Sequence, residues 1–370
     1  MTRFAQELRQ RGISRREFMA FCGAVAAALG LERAAASKIA AVVARQKPKI
    51  VWLEFQDCAG CTESFLRARH PTAAEAVLDV LSVDYHETIM AAAGHHAEAA
   101  LAEATKNPGQ YLCIVEGAIP TAEGACTVSG KSALETARRV VGNAMATIAV
   151  GTCASFGGLP AAAPNPTGAM GVDQAVPGVK NLINLPACPV NVENLTALVV
   201  HFLAFKKWPP LDRLRRPLFA YGQTIHDNCE RRAHFDAGQY VEAWGDAGHR
   251  AGYCLYKMGC KGPVCYHNCP NVGWNGNTNW PVGCGHPCIG CAEPAFWDRM
   301  SPFYVHLSGV PFGFDVDKAG LAGTGLVGAG LAAHGLVRLA TRATRQRRHD
   351  DAEARRESDE IKVEKEGGGK

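Results

Sequence analysis

Ile50-Val51-Trp52-Leu53-Glu54-Phe55 leads, through Gln56, straight into Asp57-Cys58-Ala59-Gly60-Cys61-Thr62-Glu63-Ser64. A short apolar run closed by a polar turn reads as a buried strand, so two thiols stand where that strand ends. The same pattern recurs along the chain. Val80 to Tyr85, Tyr111 to Gly117 and Thr147 to Gly151 read as further strands, while Ser132 to Met145 and Val192 to Phe205 have helical length and period. Strands alternating with helices predict an α/β fold, a doubly wound parallel sheet wrapped on both faces. Ligands of such sheets gather beyond the carboxyl ends of the strands.

Cysteines occupy those ends. Cys58 and Cys61 follow the first strand, Cys153 follows Thr147–Gly151, and Cys188 in Pro186-Ala187-Cys188-Pro189 follows the short run Leu182–Leu185. Four thiols from three strand ends suit a zinc ion or an iron–sulfur cluster. A lone CxxC would leave a redox disulfide as a fair competitor.

Beyond about Leu218, and as far as Pro311, periodicity gives way to Gly, Pro, Asn and Cys. Such a segment has too little apolar surface to hold itself, so something else must tie it. His226 and Cys229 stand three positions apart. With Cys254 and Cys260 they offer three sulfurs and one nitrogen, and Cys269, Cys288 and Cys291 follow. Local spacing alone does not sort these into sites. No internal repeat is evident.

Composition narrows the function. Apolar residues make up 47% and charged ones 20%, which excludes wholesale disorder. With 39 Lys+Arg against 35 Asp+Glu the net charge is only +4, too balanced for a protein that mainly neutralises nucleic-acid phosphates. Fifteen cysteines are an odd number that cannot pair completely, in a chain too long to need a disulfide scaffold. Metal is the first expectation.

The ends read as addresses. Ser14-Arg15-Arg16-Glu17-Phe18-Met19, before the modest apolar stretch Phe21 to Leu31, looks like a twin-arginine export signal, with cleavage after Ala36 or Ala44. Cys22 would leave with it. A short amphipathic helix with a chance Arg pair is the competing reading. Ala319 to Val337 is a weakly polar run with six glycines, followed by Arg338, Arg342, Arg345, Arg347 and Arg348. It predicts a C-terminal transmembrane helix spanning residues 316–338, with a Gly/Ala linker as the alternative. The charged tail, residues 339–370, is expected on the cytoplasmic side and disordered from about Arg342.

DCAGCTESF, EGAIP, GTCASFGG, PACPVN, HDNC, CLYKMGCKGP, NCP and GHPCIGCAEPAFWD occur here in order. On that series, from about Ile50 to Pro311, the chain resembles the small, electron-transferring subunit of membrane-bound periplasmic nickel–iron uptake hydrogenases. The resemblance implies a signal in residues 1–45 and a flavodoxin-like domain over 46–217. A distal and medial iron–sulfur domain over 218–311 precedes the anchor. It implies Cys58, Cys61, Cys153 and Cys188 as ligands of a proximal [4Fe-4S] cluster. His226, Cys229, Cys254 and Cys260 would hold a distal [4Fe-4S] cluster, and Cys269, Cys288 and Cys291 a medial [3Fe-4S] cluster. The nickel–iron centre would belong wholly to a partner large subunit. Electrons would leave toward a membrane cytochrome b and quinone, on the periplasmic side of the cytoplasmic membrane.

Four cysteines remain without an assigned role. Cys113 reads as a small buried hydrophobe, and Cys126 has no role. Cys284 is a candidate fourth medial ligand, against which Pro281 matches the proline of relatives with a three-iron cluster. A Cys265–Cys284 disulfide is also open. Oxygen-tolerant relatives add two cysteines at the positions of Gly60 and Gly158, so an oxygen-sensitive enzyme is expected. A zinc-stabilised structural protein is the rival from another class. The quinone-reductase subunit of related fold is a second, and it normally has adjacent cysteines at the first motif.

Overall fold

The computed structural model describes residues 15–32, 34–43, 48–69, 72–73, 82–305 and 316–367. The chain divides into two units, Met1–Leu307 and Ser308–Lys370.

Five parallel strands form the heart of the first unit: β1 (Lys49–Glu54), β2 (Ser82–His86), β3 (Tyr111–Glu116), β4 (Ala146–Val150) and β5 (Leu182–Leu185). Their spatial order is β2-β1-β3-β4-β5. That is the flavodoxin-like winding, whose direction reverses between β1 and β3. Residues 80 and 81 of the expected second strand lie outside the described residues.

Alternation along the strands builds two cores. On one face Ile50, Trp52, Leu112, Ile114, Ile148, Val150 and Ile183 pack with Leu195, Leu198 and Leu203 of the long helix Val192–Phe205. On the other, Val51, Leu53, Cys113, Val115 and Ala149 pack with Leu101 of helix His95–Ala104 and with Val140 of helix Ala133–Asn143. Every residue of β3 is buried, as a central strand covered on both faces must be. Cys113 is part of that core, and burial pushes its thiol far up.

The long helix is capped by Asn191, whose side chain accepts from the Glu193 and Asn194 amides. It also carries Val200 and Ala204, which pack with Cys22, Val25 and Ala26 of helix Arg15–Ala28 and with Ile39 of helix Ala35–Val43. The arginine pair therefore opens a helix whose apolar side is buried on the sheet domain. Of the two expected cleavage positions, Ala36 is buried and Ala44 lies outside the described residues.

From Leu218 to Val305 the described chain has only short helical turns and isolated bridges. Its buried residues Tyr221, Ile225, Leu255, Cys265, Cys269, Trp280 and Cys288 join the first core face. Arg216 clasps the seam. It is 4% exposed and holds Asp212 at 2.8 Å, Glu293 at 3.0 Å and the Ala292 carbonyl at 3.3 Å.

The C-terminal expectation needs correction. Residues 316–338 do not form a transmembrane helix, because no helix among the described residues is long and apolar enough to cross a membrane. The six glycines of Ala319–Val337 add no side-chain surface, and Thr324 and His334 dilute the rest. Nor does the charged tail stay irregular. One helix runs from Val316 to Gly367, 52 residues, because Ala, Arg, Glu and Lys are strong helix formers and carry pairs such as His349–Glu353 at 3.6 Å.

Candidate metal centres

The proximal set is assembled by three strand–helix turns. After β1, Ala59 adopts a left-handed conformation and starts the short helix Gly60–Leu66, with Cys61 and Thr62 in its first turn. After β4, Gly151 opens the helix Gly151–Phe156, which carries Cys153. After β5 comes the segment with Cys188. These thiols lie near one another: Cys153 and Cys188 act on the ionisation of Cys61, and Cys58 on that of Cys153 and Cys188. Burial, the largest cause, raises the Cys61 thiol far above its ordinary value, pushes Cys153 up to about 12 and also raises Cys188. A metal bound here must displace those protons, so loading releases acid.

Beneath the thiols lies a carboxylate that motif reading left without a role. Glu116, 1% exposed at the end of β3, accepts from the Cys61 amide at 2.9 Å and the Thr62 amide at 3.2 Å. It also accepts from the Thr62 hydroxyl at 2.6 Å and from Trp52 Nε1 at 3.2 Å. Four donors fill its acceptor positions and fix the first turn that presents Cys61. Burial raises its carboxyl, ahead of the Thr62 hydrogen bonds that lower it. The sequence clue was an acidic residue closing an otherwise apolar strand, as Glu54 also does in β1.

Gly151 is required here twice over. Its φ is +78°, and a Cβ would lie 2.5 Å from Cys61 Sγ. Gly151→Ala should cost about 1–3 kcal/mol in backbone strain and displace Cys61. The expected readout is a lower melting temperature with reduced iron content; full iron loading at unchanged stability would contradict it. Gly158, at φ +58°, is similarly placed, with a Cβ 2.4 Å from Cys153 Sγ.

His226, Cys229, Cys254 and Cys260 line one small cavity with Arg231, Leu255 and Val282. Burial, then the Arg232 charge, lowers the His226 imidazole, which favours the neutral ring that metals need. Burial pushes Cys260 up to about 12 and raises Cys229 and Cys254. Cys269, Cys288 and Cys291 line a larger cavity of about 530 Å³ together with Cys284, Pro281, Trp274 and Trp280. Cys269 and Cys288 are buried, whereas Cys284 is exposed. No disulfide joins Cys265 to Cys284, since both thiols are free.

Contacts chain the three sets in a fixed order. The Thr152 hydroxyl, next to Cys153, donates to the Cys291 carbonyl, and Cys188 acts on the ionisation of Cys291. The Cys288 amide donates to Cys260 Sγ at 3.3 Å. The strand-end set thus adjoins the medial set, and the medial set adjoins the distal one.

Sulfur spacing separates the two metal chemistries. Four thiolates on one zinc ion at about 2.3 Å would sit about 3.8 Å apart. Among the described residues, no three of these cysteine or histidine ligand atoms lie within 4.8 Å of one another. The sets are too open for a single ion and fit a polynuclear cluster, whose corners hold the thiolates apart.

Comparison with known proteins agrees. Residues 221–304 match the family that covers the C-terminal part of the NiFe/NiFeSe hydrogenase small subunit, and residues 58–202 match the family of the NADH ubiquinone oxidoreductase 20 Kd subunit. The chain is 49% identical over 304 residues to the periplasmic [NiFe] hydrogenase small subunit 1 of Nitratidesulfovibrio vulgaris, covering 81% of this chain and 95% of that one. The chain belongs to the nickel–iron hydrogenase small subunits. It is also 47% identical over 341 residues to the uptake hydrogenase small subunit of Azotobacter vinelandii, covering 90% and 95% of the two chains. A reduced, active Ni-Fe-Se hydrogenase from Desulfomicrobium baculatum superposes with a TM-score of 0.66 at 36% identity, over 70% of this chain and 100% of that one. As a small subunit this chain is the iron–sulfur, electron-transfer half of an oxidoreductase, and it pairs with a large subunit that carries the catalytic site.

Proposed function

We propose that Cys58, Cys61, Cys153 and Cys188 hold a proximal [4Fe-4S] cluster, and that His226, Cys229, Cys254 and Cys260 hold a distal one. Cys269, Cys288 and Cys291 hold a medial [3Fe-4S] cluster, with Pro281 and not a thiol at the open corner. The observation that carries this reading is the chain of contacts joining three open sulfur sets in the order proximal, medial, distal. When bound, the clusters supply a one-electron relay from the large subunit's nickel–iron centre outward. The protein's part is to fix the spacing of the ligand thiols, bury Cys61, Cys254, Cys269 and Cys288 from water, and donate hydrogen bonds that set potentials.

By resemblance the acceptor is a membrane cytochrome b feeding quinone. The periplasmic relatives and the Arg15-Arg16 pair support export by the twin-arginine machinery and a periplasmic location. Purification of the unaltered complex tests the whole reading. Nickel should copurify in the partner subunit, and iron and sulfide should match two four-iron clusters and one three-iron cluster. A chain that carries zinc and no nickel-containing partner overturns it.

Oxygen response follows from the proximal set. Gly60 and Gly158 stand where oxygen-tolerant relatives carry added cysteines, and at Gly158 there is no room for one without moving Cys153. Hydrogen oxidation should therefore stop when oxygen is admitted. Sustained turnover in air would contradict that.

A further inference from the structure

One imidazole outside the ligand sets meets a medial sulfur. Cys265 leaves a short helical turn in extended conformation, and burial alternates along Cys265, Tyr266 and His267. Tyr266 faces out, 40% exposed, beneath the Arg216 guanidinium at 5.7 Å. Cys265 and His267 face in, each 1% exposed. The segment is pinned from both sides: the Ile225 amide donates to the Cys265 carbonyl at 2.8 Å, and the Tyr266 amide to Glu293 at 2.7 Å.

Of the two inward side chains, His267 meets a medial ligand directly. His267 Nδ1 lies 2.9 Å from Cys269 Sγ, and its Nε2 is buried with no partner. A second proton on Nε2 would have no acceptor, and a ligand thiolate can only accept, so the ring is neutral with its proton on Nδ1. The ring is held between Tyr221, edge-on at 5.1 Å, and Trp274, stacked at 6.1 Å.

We propose that His267 is a positioning residue for the medial cluster, donating from Nδ1–H to Cys269 Sγ, and that it raises the cluster's reduction potential. The inference rests on the three-iron reading above. The physical basis is charge: reduction adds an electron to the cluster and its thiolates, and a donor aimed at one of those sulfurs stabilises the more negative state.

The test is a redox titration of the purified heterodimer, followed through the paramagnetic signal of the oxidised three-iron cluster. His267→Phe should shift the medial midpoint downward, and His267→Asn, which keeps an N–H donor, should recover most of that shift. Signals of the proximal and distal clusters serve as controls for folding, and His267→Leu replaces His267→Phe if the latter fails to assemble. An unshifted medial midpoint with an intact signal overturns the inference and leaves the ligand assignment standing. A change in iron count in His267→Phe would make His267 a ligand and also overturn it. Absence of the three-iron signal from the unaltered protein overturns both the inference and the reading beneath it.

Discussion

Cys61→Ala is expected to leave a heterodimer that cannot pass electrons from hydrogen to any external acceptor. Cys61 is the most constrained thiol of the proximal set. Its sulfur accepts from the Val190 amide at 3.3 Å, its own amide is held by Glu116, and its sulfur sits in the space a side chain at Gly151 would fill. Removing it leaves Cys58, Cys153 and Cys188 around the site, and burial raises the Cys153 and Cys188 thiols, which favours their protonated forms in the absence of metal. The loss should exceed the ~10–100-fold typical of altering a group one layer behind a metal ligand. Dye-linked hydrogen oxidation and the spectrum of the reduced proximal cluster are the measurements. Activity within tenfold of the unaltered protein would remove Cys61 from the ligand set.

Stripping iron from the intact chain should divide it into a folded half and an open half. The parallel sheet has two apolar faces and needs no metal to bury them. Residues 218–305 have short turns, few ladder bonds and buried thiols in place of regular structure. Their strongest polar tie to the sheet domain is the Arg216 clasp to Asp212 and Glu293, a buried arrangement whose breakage costs about 3–5 kcal/mol. Limited proteolysis of the iron-free protein should therefore cut between about residues 218 and 305 and spare 82–205. Arg216→Ala should speed those cuts further. Zinc added in place of iron should not restore protection, because the sulfurs stand too far apart to converge on one ion. An iron-free chain as resistant as the loaded one would show that packing alone organises the second segment.

Much of this was legible before any coordinates. Short β-branched runs ending in Cys announce a parallel sheet with thiols along its carboxyl edge, since side-chain period and strand length are local properties of the chain. The ordered motif series carried the hydrogenase resemblance. The C-terminal anchor was misread for an equally local reason. Small residues look apolar when counted, but six glycines in Ala319–Val337 supply no surface to transfer into lipid, and the helix continues unbroken into the charged tail.

Tertiary structure alone decided what stands behind the ligands. Glu116 reaches Cys61 across 55 positions of chain, and Arg216 reaches Glu293 across 77, because adjacent strands and loops converge at one sheet edge. The order of the three sulfur sets came from the contacts Thr152–Cys291 and Cys288–Cys260, which no spacing encodes. Burial and direction, not local spacing, set His267 against a medial sulfur. Sequence determines which side chains are available and which local elements carry them. The value of a carboxylate, a thiol or an imidazole is set by its neighbours and by how far water is excluded, and both exist only once distant segments have packed.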